Sequence, residues 1–296
     1  MRKEIITFRD PKSPISEVFR TLRTNIQFMN TKNRLKSILI TSTSPSEGKS
    51  WTAANLAVTF AQAGKKVILI DCDMRKGRQF SIFGVPPTPG ISNFLSGIGP
   101  DGKDSDENIL SYVRPTEIDN LFVITAGNVP PNPSELLTSD LMPESLETLK
   151  KVSDMIIIDG TPSDLVTDAV ILSRYVDTTI IVTAYKETKM EALEKVKKEI
   201  LNVGGKIAGV VINKMPIAQK KYYSSYYYGS TTPAIRKTSK EDQIRMQRIQ
   251  ENRQRAEEIL KQNKIQEEAN SKTPEELMKQ MNDYLSEQKN QLKKDE

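Results

Sequence analysis

The sequence predicts an α/β fold: a doubly wound, mostly parallel sheet with helices on both faces. Three observations predict it. Short β-branched apolar runs alternate with helix-forming segments between residues 37 and 212, the pattern of strands joined by helical crossovers. A Gly48-Lys49-Ser50 loop stands between one such run and a helix-forming stretch. Two later runs end in aspartates, Asp71 and Asp159, where open sheets of this kind place ligand-binding groups.

Composition sets the frame. A chain of 296 residues, 37% hydrophobic, is long enough for one domain of about 200 residues plus an appendage. The absence of histidine excludes any imidazole base or ligand, so acid–base work falls to carboxylates. The single cysteine, Cys72, excludes an internal disulfide framework and a thiolate cage within one chain, and its neighbours suit a buried small hydrophobe. The net charge of +5 is modest and its basic residues are interspersed with acidic ones, which speaks against a nucleic-acid partner. No apolar run approaches the roughly 18 residues that span a bilayer, and Arg2, Lys3 and Glu4 do not open a signal peptide. A cytoplasmic location is expected.

Residues 1–11 read as an extended arm. Ser13 then caps a helix with Pro14 in its first position, and Ile15, Val18, Phe19, Leu22, Ile26 and Met29 form an apolar face at spacings of three and four. Glu17, Arg20 and Arg23 follow each other at steps of three beside it. Spacing alone reads them as a solvated, salt-bridged face.

The apolar run 37–42 is a strand, 43–50 a tight loop, and 52–63 a helix that stops at Gly64. This is the context in which a glycine-rich Gly-Lys-Ser loop cradles phosphate. Free N–H groups and the dipole at the helix N-terminus favour an anion there. Lys49 would reach the β and γ phosphates, and the Ser50 hydroxyl would bind Mg2+. Ser44, Pro45, Ser46, Glu47, Gly48, Lys49, Ser50 and Trp51 are therefore the candidate nucleotide contacts, although Thr43 replaces the first glycine of the general pattern.

The strand 67–70 runs straight into Asp71-Cys72-Asp73, which brings two carboxylates beside the loop. Residues 74–120 are rich in turns, and 101–107 are expected to form a mobile loop. A strand at 121–124 follows. Pro130 to Pro133 make a rigid turn, with Ser134 expected to cap a short helix, and 141–152 form a longer amphipathic helix. The strand 155–158 ends at Asp159, the arrangement in which a Walker B carboxylate holds Mg2+ directly or through water. Asp168 supports or caps the helix that follows it. Strands at 179–182 and 207–212 flank a helix at 189–203. Asn213, at the tip of the last strand, fits either a base-reading amide or an ordinary turn.

Lys220-Lys221 opens a different region. Tyr222, Tyr223, Tyr226, Tyr227 and Tyr228 cluster outside any apolar periodicity and read as an exposed segment, either a stacking patch or a modification substrate. The remainder to Glu296 is charged and almost free of aromatics. Thr273-Pro274-Glu275-Glu276 has the form of a capping box, so a solvated helical tail, or one that folds on a partner, is expected. The chain thus divides at 1–219, 220–230 and 231–296.

These motifs together resemble the bacterial tyrosine kinases of capsular and exopolysaccharide biosynthesis, the CpsD/CapB type. Ile70-Asp71-Cys72-Asp73-Met74-Arg75-Lys76 is similar to that family's second Walker-type motif, and Ile157-Ile158-Asp159 to its Walker B. The segments 89–97 and 126–137 are similar to stretches that separate the family from other P-loop ATPases. The resemblance implies ATP and Mg2+ as cofactors, Lys49 and Ser50 on phosphate and metal, and Asp73 and Asp159 in the metal shell. It also implies that Asp71 accepts the tyrosine proton or aligns the nucleophile. Glu17, Arg20 and Arg23 match a Glu-x-x-Arg-x-x-Arg helix that assembles a homo-oligomeric ring, and the tyrosine cluster becomes the acceptor for a neighbouring subunit. The implied partners are the cytoplasmic tail of a transmembrane chain-length regulator, which recruits the kinase to the inner face of the membrane, and a cognate tyrosine phosphatase.

The chain departs from the family at Ser46, usually glycine, at Trp51, Gly77 and Gly160, and in carrying residues 231–296 after the tyrosines. Two rival readings share the fold. One is a ParA/MinD-like ATPase switch, against which Ser44 counts because it takes the place of that group's second lysine. The other is a nucleotide-binding scaffold.

Overall fold

The computed structural model describes residues 5–29, 35–99, 103 and 108–216. The tyrosine cluster, the extension with its expected terminal helix, and most of the expected 101–107 loop lie outside the described residues.

In chain order the elements are α1 (Ile6–Arg9), α2 (Pro14–Phe28), β1 (Ser37–Ser42), α3 (Lys49–Gln62), β2 (Val67–Asp71), α4 (Gln79–Phe83), α5 (Ile91–Leu95) and a 3-10 turn at Ile109–Tyr112. There follow β3 (Arg114–Pro115), β4 (Leu121–Ile124), α6 (Pro133–Thr138), α7 (Leu141–Val152), β5 (Met155–Pro162), α8 (Asp168–Ser173), β6 (Thr178–Ala184), α9 (Met190–Asn202) and β7 (Ile207–Asn213). Among the described residues the strands form one seven-stranded sheet in the order β3-β4-β2-β5-β1-β6-β7, parallel throughout except for the short edge strand β3.

The continuous apolar strands are explained by burial on both faces. Alternate residues serve opposite cores: Ile38, Ile40, Val67, Leu69 and Ile157 pack with α3 on one side. Leu39, Ile68, Ile70, Ile156 and Ile158 pack with α7 and α8 on the other. β1 lies between β5 and β6; its own crossover to β2 runs to one side, and the later crossovers from β5 to β6 and β7 run to the other. A crevice opens outside the carboxyl ends of the strands at such a reversal.

Several expectations need correction. Part of the expected arm is the helix α1, because Ile5 is buried and the Thr7 N–H and hydroxyl both donate to Asn55 Oδ1 in α3, at 3.1 and 2.9 Å. The turn-rich stretch contains α4, α5 and β3, elements too short to show periodicity. The cap of α6 is Asn132, with Pro133 in its first position, while Ser134 instead donates to Asp168. On α2, Ser13 caps as expected by accepting from the Ser16 N–H, but Val18 and Met29 are exposed and only the remainder of the apolar stripe packs inward.

Candidate active site

The phosphate loop is shaped by two residues in left-handed backbone. Gly48, the N-cap of α3, has φ +99°, and a Cβ there would stand 2.1 Å from Asn213 Nδ2. Ser46 has φ +65°, a conformation that glycine adopts without the steric cost. The loop thus requires the positive φ that the usual glycine supplies, and Ser46 adopts it.

Glu47 is buried and turned away from the cavity. Its carboxylate accepts from Thr43 Oγ1 at 2.7 and 2.8 Å, from the Ser44 N–H at 2.9 Å and from the Thr188 hydroxyl. Asn213 Nδ2 donates to the Glu47 carbonyl at 2.8 Å. The loop is therefore braced from β7 and from the connection after β6. Asn213 spends its amide N–H on the loop backbone.

The acids come together through strand register. Asp71 and Asp159 are direct partners across β2 and β5, and Ile40 in β1 pairs with Asp159 on its other side. Asp159 is therefore delivered to the base of the loop. Lys49 Nζ lies 2.9 Å from Asp73 Oδ2, 3.4 Å from Asp159 Oδ1 and 3.2 Å from Ser50 Oγ. Burial alone would lower the Lys49 pKa, but Asp159 and Asp73 outweigh it and push it up to about 12.

Asp71 is fully buried. Its Oδ2 accepts from the Arg78 and Gln79 N–H groups at 2.8 and 2.9 Å, and its Oδ1 from the Asp73 N–H at 3.2 Å. Burial first, and then the neighbouring Asp159 carboxylate, push the Asp71 carboxyl up to about 7. Cys72 is buried as expected, and burial holds its thiol well above the usual range.

A cavity of about 410 Å³ opens over this cluster. Pro45, Ser46, Gly48, Lys49, Ser50, Trp51 and Asp73 line it, whereas Ser44, Glu47, Asp71, Asp159 and Asn213 are not part of its lining. Sequence reading missed the cavity side chains Arg78, Thr161 and Leu165 and gave no role to Arg75 and Lys76, which stood inside a quoted motif. It also missed Gln79, whose only signal was a polar residue within a turn-rich stretch. Glu17, Arg20 and Arg23 lie on α2 and do not join the cavity lining. Arg20 pairs with Glu17 at 2.8 Å, and Arg23 donates to the Thr59 carbonyl at 3.1 Å.

The profile of the AAA domain family matches residues 35–209. The putative tyrosine-protein kinase CapB of Staphylococcus aureus is 42% identical over 219 residues, 74% of this chain and 92% of that protein. The tyrosine-protein kinase YwqD of Bacillus subtilis is 38% identical over 78% of this chain and 93% of its own length. The chain belongs to the bacterial tyrosine-protein kinases. The crystal structure of the chimerical protein CapA2B2 agrees in shape, with a TM-score of 0.67 at 39% identity, and covers 73% of this chain and 92% of that one.

A tyrosine kinase of this construction must handle phosphate and a phenol without histidine, and the donor set suits that task. The groups at the floor of the site are carboxylate and hydroxyl oxygens, which favour a hard divalent cation. Among the described residues no three acidic, thiol or imidazole groups converge closely enough to cage an ion by themselves. A cation held here would take its other ligands from phosphate and water, as Mg2+ ordinarily does. Thr161 Oγ1, buried in the cavity wall without a hydrogen-bond partner, is a polar atom that an incoming ligand can satisfy.

Proposed function

We propose that this chain is an ATP- and Mg2+-dependent tyrosine autokinase. It phosphorylates Tyr222, Tyr223, Tyr226, Tyr227 and Tyr228 of a neighbouring copy and thereby regulates capsular or exopolysaccharide synthesis and export. The observation that carries this reading is the meeting of Lys49 with Asp73 and Asp159 beneath a phosphate loop. Relatives named as tyrosine kinases, including CpsD of Streptococcus pneumoniae, support the reaction class.

In this mechanism the N–H groups at the start of α3 and the Lys49 ammonium bind the β and γ phosphates. Ser50, Asp73 and Asp159 would hold the metal, which when bound would offset charge on the phosphate oxygens. Asp71 takes the phenol proton or aligns the nucleophile as the tyrosine oxygen bonds to the γ phosphorus and the bond to the β–γ bridging oxygen breaks, releasing ADP. Positioning and charge neutralisation supply most of the rate, because a phenol is a weak nucleophile at neutral pH.

Glu17, Arg20 and Arg23 on α2 assemble the ring that presents one subunit's tyrosines to the next. Each phosphotyrosine adds about −1.5 to −2 charge, so several on one tail repel one another and loosen that ring. Among the described residues no helix is long and apolar enough to cross a membrane. Recruitment to the inner face of the membrane falls to the cytoplasmic tail of a separate transmembrane regulator, and reversal to a tyrosine phosphatase.

Incubation with γ-labelled ATP and Mg2+ tests the reading against its rivals. Acid-stable phosphotyrosine in the wild type that is absent from Lys49→Met supports the kinase. Free phosphate alone favours a ParA/MinD-like switch, and neither product favours a scaffold.

A further inference from the structure

Gln79 bonds to Asp71, Asp159 and Ser50 and belongs to none of the motifs that carry them. It is fully buried as the first residue of α4, and its N–H is held by Asp71 Oδ2 at 2.9 Å. Its side-chain Nε2 donates to Asp159 Oδ2 at 2.8 Å and to the Ser50 carbonyl at 3.1 Å. The remaining atom, Oε1, is buried and has no hydrogen-bond partner.

The orientation of this amide is determined by its neighbours. Turned over, it would set its oxygen against a carboxylate oxygen and a carbonyl oxygen, both of which only accept. The N–H side must therefore face Asp159 and Ser50, which leaves the acceptor side without a donor. A buried acceptor left unpaired in a native structure calls for an explanation, and an ordered water or ion is one. The donor of the right chemistry at a carboxylate that holds a hydrated cation is a water in that cation's shell. Outer-sphere groups of this kind fix the orientation of the ligand they touch.

We propose that Gln79 is a positioning residue of the metal site. Its amide N–H pins Asp159 Oδ2, so that Oδ1, the oxygen beside Lys49, is the one left to the ligand, and its Oε1 accepts a hydrogen bond from water carried by the divalent cation. The inference rests on the Mg2+-dependent reading above.

The test is the Mg2+ dependence of ADP binding, measured by calorimetry in the full chain without any turnover. In wild type, Mg2+ tightens ADP binding with a defined midpoint. Gln79→Met, which keeps the volume but neither polar function, and Gln79→Ala both raise that midpoint roughly tenfold or more. Any change in their affinity for ADP in EDTA is smaller than this shift. Gln79→Glu keeps the acceptor, loses the donor toward Asp159 and does not restore the midpoint. If Gln79→Met binds Mg2+ and ADP as wild type does, Gln79 is packing and the proposal fails. If Gln79→Met does not fold, an unshifted midpoint in Gln79→Ala overturns it equally. A wild type that shows no Mg2+ dependence overturns the parent reading instead.

Discussion

Lys49 Nζ lies 2.9 Å from Asp73 Oδ2 and 3.4 Å from Asp159 Oδ1, so one buried ammonium faces two carboxylates, one on β5 and one just past the end of β2. Lys49→Met removes both the phosphate ligand and the counter-charge. Phosphotyrosine formation should fall by at least ~100-fold. Global stability, read by urea denaturation, should fall on the order of 3 kcal/mol because buried carboxylates lose their partner.

The loop residues in left-handed backbone respond to substitution with opposite signs. Ser46→Gly relieves the strain of φ +65° but loosens the unfolded chain, for a net gain on the order of 0.5 kcal/mol. Gly48→Ala places a methyl group against the Asn213 amide and should weaken nucleotide binding at least ~10-fold. Calorimetry with ADP and urea denaturation of both variants check this pair.

Glu47 is a brace, although it stands in the middle of the phosphate loop. Glu47→Ala leaves the buried Thr43 hydroxyl and the Ser44 N–H without their acceptor, at a cost of about 2 kcal/mol. Hydrogen exchange at Ser44 should accelerate, and a Ser44 amide as protected as in wild type would contradict the assignment.

The Asp71 carboxyl, raised to about 7, sets a direction for pH dependence. A protonated carboxyl cannot accept the phenol proton, so the initial rate of autophosphorylation should fall as pH drops below about 7, approaching about tenfold per pH unit. Above that value it should level off. Asp71→Asn should be slow and should lack this limb, which a rate–pH profile of both proteins will show.

The Arg20–Glu17 pair on α2 is only partly shielded from solvent, so it contributes at most about 0.5 kcal/mol to the fold. Glu17→Ala with Arg20→Ala should leave the urea midpoint almost unmoved while reducing the oligomer in light scattering. Unchanged mass would remove the ring role of these residues.

Much of this arrangement was legible in the sequence because strand register is a strong constraint. The apolar runs ending at Asp71 and Asp159 had to be central parallel strands, and the loop before Lys49 had to stand at their carboxyl ends. Ser46 could be read as a position sensitive to φ, because the family usually has glycine there. The inward turn of Glu47 could not, because its partner Thr188 lies 141 positions away and carries no local pattern. Gln79 escaped for the same reason: it bonds Asp159 across 80 positions from a helix too short to show a period. The role of the tyrosines was visible only as composition and by resemblance, since no periodicity places them on an element.

The central claim, transfer of phosphate from this site to the tyrosines of another copy, is most directly tested by mixing two variants. One carries Lys49→Met with its tyrosines intact, and the other keeps Lys49 but has phenylalanine at 222, 223, 226, 227 and 228. With ATP and Mg2+, mass spectrometry should find phosphate on the tyrosines of the Lys49→Met chain in the mixture and none when either variant is alone. A mixture in which that chain stays unphosphorylated, beside a wild type that modifies its own cluster, would contradict the account.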